Sequence, residues 1–99
     1  LTVPRDQPYW QAVYHTLVSQ ADNRDKLAKY LLEQGVGTAV HYPIPIHLQE
    51  AAAGLGYRPG SFPVVEEKAS RILSLPIFSD LREDDIRSIA GHLRAYYRR

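Results

Sequence analysis

Residues 23–43 read NRDKLAKYLLEQGVGTAVHYP, a stretch that predicts an α-helix followed at once by a β-strand. Asn23 offers a side-chain oxygen to cap the start of the helix. Leu27 and Leu31 recur at the spacing that places both on one helical face, and Gly35 stands where a helix commonly ends. We therefore expect an amphipathic helix between Asn23 and Gly35, with its leucine face turned to a core.

The strand that follows is predicted over residues 36–41, where Val, Thr and Val alternate with Gly, Ala and His. Tyr42 and Ile44 each precede a proline, and a residue in that position is held in an extended conformation. The chain must therefore leave the sheet after His41 as a stiff, irregular segment.

The rest of the chain adds two strands and three helices to this pair. The first two are a strand within residues 10–19 and a short helix over residues 48–55. The next helix begins near Ser61 and Pro63 and buries Val65, Ala69, Ile72 and Leu73. A brief strand over residues 74–78 and a final helix follow, and that helix has acids at residues 83–85 and an apolar face from Ile86 to Tyr97. The order β-α-β-α-α-β-α predicts a domain of the α/β class, α+β in type, with a three-stranded sheet and helices packed on one side. Residues 1–9, with two prolines, are expected to form an extended lead-in, and residues 10–99 the folded domain.

The composition is that of one ordinary globular domain of 99 residues, of which 44% are hydrophobic and 23% charged. A net charge of +1 offers no clustered basic surface, so we expect no nucleic-acid partner. No apolar run reaches the roughly 20 residues of a spanning helix, and we expect no membrane association. The absence of cysteine fits the reducing cytoplasm, where we place the protein. The chain starts at Leu1 and contains no methionine, which suggests a domain whose reading frame begins upstream.

None of the three lysines is suited to bind a cofactor covalently. A nucleophilic lysine must be desolvated or lie beside another cation, so that its amine is neutral at physiological pH. Lys26, Lys29 and Lys68 instead fall on predicted helices among polar neighbours. We therefore assign no catalytic residue to this chain.

The four histidines differ in their predicted surroundings. His41 and His47 lie on either side of the prolines and could share a metal ion. Two ligands fall short of the four that structural metal sites usually use, so we predict no metal site. His15 is expected in the middle of a strand as a hydrogen-bonded structural residue, and His92 on the solvent face of the last helix.

His41 and Tyr42 are the strongest candidates for ligand contact. They end a predicted strand where the backbone becomes irregular, and ligands tend to bind at such strand ends. Both side chains are able to hydrogen-bond a polyhydroxyl or phosphate ligand. Alternatively, Tyr42 packs on Pro43 or Pro45 and His41 merely caps the strand. The residues alone leave both interpretations open.

Residues 36–49, VGTAVHYPIPIHLQ, closely resemble the Gly-Ile-Gly-Thr-x-x-His-Tyr-Pro-x-Pro-x-His segment of the DegT/DnrJ/StrS-type sugar aminotransferases. Further segments resemble the same family in the same order, namely residues 14–15, 23–25, 55–57, 62–64 and 74–78. The resemblance covers about residues 9–93, nearly the whole chain. It departs from the family pattern at Thr16, Ala39 and residues 51–53, which leaves the sugar specificity open.

The resemblance implies an enzyme dependent on pyridoxal phosphate, of the aspartate-aminotransferase fold, with this chain as its C-terminal small domain. In that family a large domain carries the Schiff-base lysine and most cofactor contacts, so we expect the isolated chain to bind no cofactor and to be inactive. The reaction passes an amino group from glutamate to a keto group on a nucleotide-linked sugar, in the synthesis of amino sugars for lipopolysaccharide, other surface polysaccharides or natural products. The active site is built at a homodimer interface, where His41 and Tyr42 become candidate substrate-binding residues for recognition rather than proton transfer.

Two other functions stay open at this point. Some proteins of this fold are regulators or lack the lysine, so the chain is alternatively a domain of a non-catalytic relative. It is also compatible with an independent small-molecule-binding module of similar build. A lysine upstream of Leu1, with an aspartate for the pyridine nitrogen, would favour the enzyme, whereas a start codon just before Leu1 would favour the independent module.

Overall fold

The computed structural model describes residues 1–99 and contains three α-helices and two β-strands. In chain order these elements are β1 (Leu17–Gln20), α1 (Arg24–Glu33), α2 (Pro63–Ala69), β2 (Ile72–Leu75) and α3 (Glu83–Tyr97). Two short 3-10 helices, Ile46–Leu48 and Glu50–Leu55, lie in the long connection between α1 and α2. The chain is therefore a small α+β domain.

β2 lies inside the sheet because it is hydrogen-bonded along both edges. On one side it pairs antiparallel with β1, with Leu75 opposite Leu17. On the other side Ser74 forms an isolated antiparallel bridge with Ala39. The amide of Ser74 donates to the carbonyl oxygen of Ala39 at 2.7 Å, and the amide of Ala39 donates back at 3.2 Å. The segment before the prolines is thereby fixed to the middle of the sheet.

The core forms on the face of the sheet to which every second residue of β2 points. Leu73 and Leu75 lie on this face, and the completely buried Leu27 and Leu31 of α1 join them in one cluster. The half-buried residues of α3 that complete this core are Ile89, Leu93 and Tyr96. α1 and α3 therefore share one core with this face of the sheet.

The predicted sheet of three strands is wrong in number, since the regular sheet has two. Residues 36–41 contribute a single bridge at Ala39 in place of a full strand. One cause is Pro76. In this register it lies opposite Gly37, where the next pair of ladder hydrogen bonds would form, and proline has no amide hydrogen to donate.

A guanidinium group stops the ladder at its other end. The next pair in that direction would be His41 with Ile72, but the carbonyl oxygen of Ile72 accepts a hydrogen bond from Nη1 of Arg24 at 2.9 Å. The same nitrogen lies 3.4 Å from the carbonyl oxygen of Ala69. Arg24 thus ties the first turn of α1 to the connection between α2 and β2, and the chain turns away from the sheet after His41.

The strand predicted within residues 10–19 begins only at Leu17. Tyr14 interrupts it, since its φ of 47° lies in the left-handed region rather than the extended one. The hydroxyl of Tyr14 donates to the Asp6 carboxylate at 2.5 Å, which closes a loop before β1. Thr2 is bridged to the outer edge of β1, so the segment predicted as a lead-in touches the sheet.

α2 ends at Ala69, earlier than the spacing of the apolar residues predicts. Ser70 closes its last turn, because its hydroxyl donates to the carbonyl oxygen of Glu67 at 2.7 Å. Ile72 and Leu73, predicted to extend the buried face of this helix, lie instead in β2. The helical prediction is therefore wrong for these two residues.

The ends of α1 agree with the prediction in part. Gly35 has a φ of 79°, a left-handed conformation that ends the helix and that glycine adopts without strain. The side chain of Asn23 makes no capping hydrogen bond, contrary to the prediction. Its backbone carbonyl oxygen accepts from the amide of Leu27 at 3.2 Å instead.

α3, with 15 residues, is the longest helix and starts with three acidic residues. The carboxylate of Asp85 accepts from the backbone amide and from Nε of Arg82, both at 3.3 Å, at the first turn of the helix. Ile86 and Tyr97, predicted on its buried face, are 50% and 46% exposed, so that face is narrower than predicted. No helix of the chain combines the length and the apolar character needed to cross a membrane.

Adjacent leucines of α1 provide a test of this packing. Leu31 is completely buried, whereas Leu32 is 69% exposed. We expect Leu31→Ala to lower the free energy of unfolding by about 2–5 kcal/mol, because it removes buried methyl groups and leaves a cavity. Leu32→Ala should change it by less than about 0.5 kcal/mol. Urea unfolding of both variants measures the difference, and equal losses would contradict this orientation of α1.

Candidate functional site

His41 is held beside the sheet by a buried hydroxyl. Its Nδ1 atom lies 2.8 Å from Oγ of Ser74. Ser74 is 5% exposed, and its backbone pairs with Ala39, two residues before His41. Side chains two residues apart in an extended segment point to the same face, so this pairing brings His41 and Ser74 together. The sheet thus orients the imidazole, and Nε2 stays available to a ligand.

Tyr42 stands next to this imidazole and is 71% exposed. The two rings lie edge to face with centroids 5.4 Å apart, and the peptide bond between the residues is cis. The exposure argues against the alternative in which Tyr42 packs on Pro43 or Pro45. His41 in turn contacts a side chain of the neighbouring strand rather than only capping its own segment.

A polar recess of about 340 Å³ opens beside His41. The side chains with hydrogen-bonding groups that line it are Thr16, Thr38, Ser74, His15 and His41. His15 lies before β1 and is exposed, which corrects the prediction of a structural residue in the middle of a strand. Hydroxyl and imidazole groups both donate and accept, so the recess is suited to a polyhydroxyl or phosphate group.

A second recess, of about 330 Å³, also adjoins His41 and is mostly apolar. Tyr42, Ile44 and Val64 contribute to its wall, together with the ammonium-bearing side chain of Lys68. A ligand that lies across His41 would therefore meet hydrogen-bonding groups in one recess and hydrocarbon with one cation in the other.

His47, beyond the prolines, is buried against a carboxylate. Its Nε2 atom lies 2.8 Å from Oε1 of Glu66, and the Phe62 ring covers the imidazole with centroids 4.8 Å apart. The carboxylate also accepts from the backbone amides of Gly60 at 2.9 Å and Phe62 at 3.3 Å. The hydrogen bond from Gly60, and next that from His47, hold the pKa of Glu66 below its ordinary value. Glu66 therefore fastens His47 to the start of α2.

His41 and His47 do not converge on a common site. They turn to different partners, Ser74 and Glu66. No group of three or more His, Cys, Asp and Glu side chains is placed to hold a metal ion. His92 lies 3.4 Å from the hydroxyl of Ser88 on α3 and lines neither recess.

The lysines do not form a site for a covalently bound cofactor. Lys26 and Lys29 are exposed on α1. Lys68 lies 3.1 Å from the carboxylate of Glu67, and 44% of its side chain is exposed. Because a lysine that bonds to a carbonyl cofactor needs a desolvated or cation-flanked amine, none of the three fits.

Ser74 and Glu66, the partners of the two histidines, are not predicted as site residues from the sequence. Ser74 interrupts the apolar sequence between Leu73 and Leu75, and one polar residue that alternates with leucines indicates a strand with its second face turned from the core. That pattern is a usable signal. No such pattern marks Glu66, because its partner His47 lies 19 positions away along the chain.

Comparison with known proteins relates the chain to one family. The profile of the DegT/DnrJ/EryC1/StrS aminotransferase family matches residues 1–94. The erythromycin biosynthesis sensory transduction protein EryC1 of Saccharopolyspora erythraea is 41% identical over 95 residues, which cover 96% of this chain and 26% of that protein. The dTDP-3-amino-3,4,6-trideoxy-alpha-D-glucose transaminase of Streptomyces venezuelae is 33% identical over 99 residues, 100% of this chain and 25% of that protein.

A solved structure agrees with the fold described above. The crystal structure of S. venezuelae DesV in complex with a ketimine intermediate superposes with a TM-score of 0.93 and 33% sequence identity. The match covers 99% of this chain and 26% of that chain. The chain thus spans about a quarter of the length of the relatives it matches.

Replacement of Glu66 tests the contact with His47. Because the pKa of Glu66 is lowered in the folded chain, its stabilising contribution is complete above the ordinary value of 4.5 and is lost as the pH falls through the lower folded value. We expect Glu66→Gln to lower the urea midpoint at about pH 7 and to flatten the loss of stability toward about pH 3.

Glu50→Gln is the matched control, since Glu50 is exposed at the start of the 3-10 helix Glu50–Leu55. It should follow the unsubstituted chain at both pH values. If Glu66→Gln does the same, the carboxylate does not fasten His47.

Proposed function

Since the chain belongs to the DegT/DnrJ/EryC1/StrS aminotransferase family, we propose that residues 10–99 form the C-terminal small domain of an enzyme dependent on pyridoxal phosphate. The whole enzyme transfers an amino group from glutamate to a keto group of a nucleotide-linked sugar, in amino-sugar synthesis. It works in the cytoplasm as a homodimer. The observation that carries the proposal is the exposed pair of His41 and Tyr42 at the border of a polar and an apolar recess.

The covalent cofactor site lies in the enzyme beyond this domain. This assignment accords with the solvated lysines and with the quarter-length match to the relatives. Pyridoxal phosphate, where it is bound, supplies the electron sink for amino transfer, and the protein supplies binding and orientation. The isolated domain is therefore inactive.

His41 and Tyr42 recognise the sugar nucleotide. Nε2 of His41 and the phenol of Tyr42 hydrogen-bond oxygen atoms of the sugar or the diphosphate, and the hydroxyl groups of Thr16 and Thr38 line the same polar recess. The apolar recess beside Tyr42 receives the less polar part of the ligand. No proton transfer is assigned to either residue.

A non-catalytic role is the second candidate. The relative EryC1, at 41% identity, carries the name of a sensory transduction protein. Both candidates use the same recesses and differ in the covalent cofactor. A lysine of the intact protein that bonds to pyridoxal phosphate would decide for the enzyme.

Substitutions in the intact protein test the recognition role. His41→Ala and Tyr42→Phe should each weaken transition-state binding in the sugar half-reaction by about 1–3 kcal/mol, the range for a lost hydrogen bond to a ligand, as measured by kcat/KM. Tm should barely change in Tyr42→Phe, because Tyr42 is 71% exposed. It should fall modestly in His41→Ala, because that variant leaves the buried Ser74 hydroxyl without its partner. The glutamate half-reaction should suffer less, since glutamate carries no nucleotide.

His92→Ala is the matched control, because His92 lines neither recess and should leave both half-reactions unchanged. Equal losses of the His41 and Tyr42 variants in both half-reactions would remove the two residues from the sugar site. So would a lower Tm with normal turnover per folded molecule.

The 99-residue chain by itself should form no stoichiometric adduct with pyridoxal phosphate. All three lysine amines are solvated, so any reaction should be weak and spread over Lys26, Lys29 and Lys68. Borohydride reduction followed by mass spectrometry of the digested peptides measures this distribution. Complete modification of one lysine alone would show a cofactor anchor inside this domain.

A further inference from the structure

Ser74 carries a buried hydroxyl with one hydrogen-bond partner. Its Oγ atom lies 2.8 Å from Nδ1 of His41, and the residue is 5% exposed. The backbone of Ser74 is already committed, since its amide and carbonyl group both bond to Ala39. The position of the hydroxyl is thus set by a strand that is paired on both sides.

The proton of this hydroxyl decides which nitrogen of His41 carries a hydrogen. A buried hydroxyl is stabilised when it donates its proton to an acceptor, and Nδ1 is the acceptor that lies within hydrogen-bond distance of Ser74. Nδ1 accepts only when the hydrogen of the neutral ring is on Nε2. In the other tautomer Nδ1 would donate to Oγ, and the proton of Ser74 would have no protein acceptor.

We propose that Ser74 is a positioning residue that holds His41 in the tautomer with the hydrogen on Nε2. His41 then presents an N–H donor to the recess, and this donor selects a ligand atom that accepts, such as a hydroxyl, carbonyl or phosphate oxygen. The part that concerns the ligand rests on the proposed function, in which His41 contacts the sugar nucleotide. The tautomer itself does not depend on it.

The sheet contains a matched control. Ser19 of β1 is completely buried, and its hydroxyl has no hydrogen-bond partner. It lies opposite Leu73, on the face of the sheet that Ser74 does not share. Ser19→Ala therefore removes a buried serine hydroxyl from the same sheet without a change at His41.

The first experiment measures the tautomer by nitrogen NMR of the intact protein labelled with 15N at histidine, with His41 assigned through His41→Gln. We expect a bare Nδ1 and a protonated Nε2 in the unsubstituted protein and in Ser19→Ala. Ser74→Ala should give a mixture of tautomers, and Ser74→Thr should restore the first pattern because it keeps the hydroxyl. A protonated Nδ1 in the unsubstituted protein, or no change in Ser74→Ala, would overturn the proposal.

The second experiment measures binding of two unreactive nucleotide sugars, dTDP-glucose and UDP-glucose, by calorimetry. For whichever of them binds, Ser74→Ala should raise Kd roughly 3- to 10-fold, with Ser19→Ala and Ser74→Thr near the unsubstituted value. In a His41→Ala background, Ser74→Ala should have no further effect, since its action passes through the imidazole. A full additional loss in that background would assign Ser74 a structural role only.

The two readouts separate the two proposals. One outcome is that the tautomer changes in Ser74→Ala, but neither nucleotide sugar binds or His41→Ala leaves Kd unchanged. The substrate proposal then fails, while the role of Ser74 in orienting His41 stands. The other outcome is that His41→Ala weakens binding but Ser74→Ala leaves the tautomer unchanged. The proposal for Ser74 is then wrong, and the substrate proposal stands. Tm values of all variants show which of them are folded.

Discussion

The pair of hydrogen bonds between Ser74 and Ala39 is the constraint on which the geometry of the recesses depends. It places the centre of β2 between β1 and the segment that leads to His41. Alternation along β2 then sends Leu73 and Leu75 into the core and the Ser74 side chain to the opposite face. β2 therefore contributes Leu73 and Leu75 to the core, and its Ser74 side chain orients the imidazole of His41.

The segment from His41 to His47 is held at its ends and exposed between them. His41 is bonded to Ser74 at one end and His47 to Glu66 at the other. Residues 42–45 lie outside any helix or strand, and the prolines restrict their backbone. The Ile44 side chain in this stretch is 54% exposed. Side-chain hydrogen bonds therefore hold the two histidines in place, and the middle of the segment stays open to a ligand.

The sequence predicts the helices better than the strands, and the reasons are physical. The apolar spacing along α1 and α3 is a local feature, as are the glycine that ends α1 and the acidic residues that start α3. The strand predicted over residues 36–41 fails because its length depends on Pro76 and on the Arg24 guanidinium, which are distant in sequence. His41 and Tyr42 stand out locally because they precede a proline, whereas the partner Ser74 becomes visible only when the strands are paired.

The different partners of the two histidines suit them to different work. A carboxylate beside an imidazole stabilises the charged ring. Such a carboxylate supports general acid–base catalysis or simply fixes the orientation of the ring. His47 has such a partner in Glu66, but it is buried under Phe62. His41 is exposed, and its partner is an uncharged hydroxyl that offers no charge to balance a proton gained during a reaction. This division favours hydrogen-bond recognition over proton transfer at His41, because the open ring lacks the carboxylate and the ring with the carboxylate is buried.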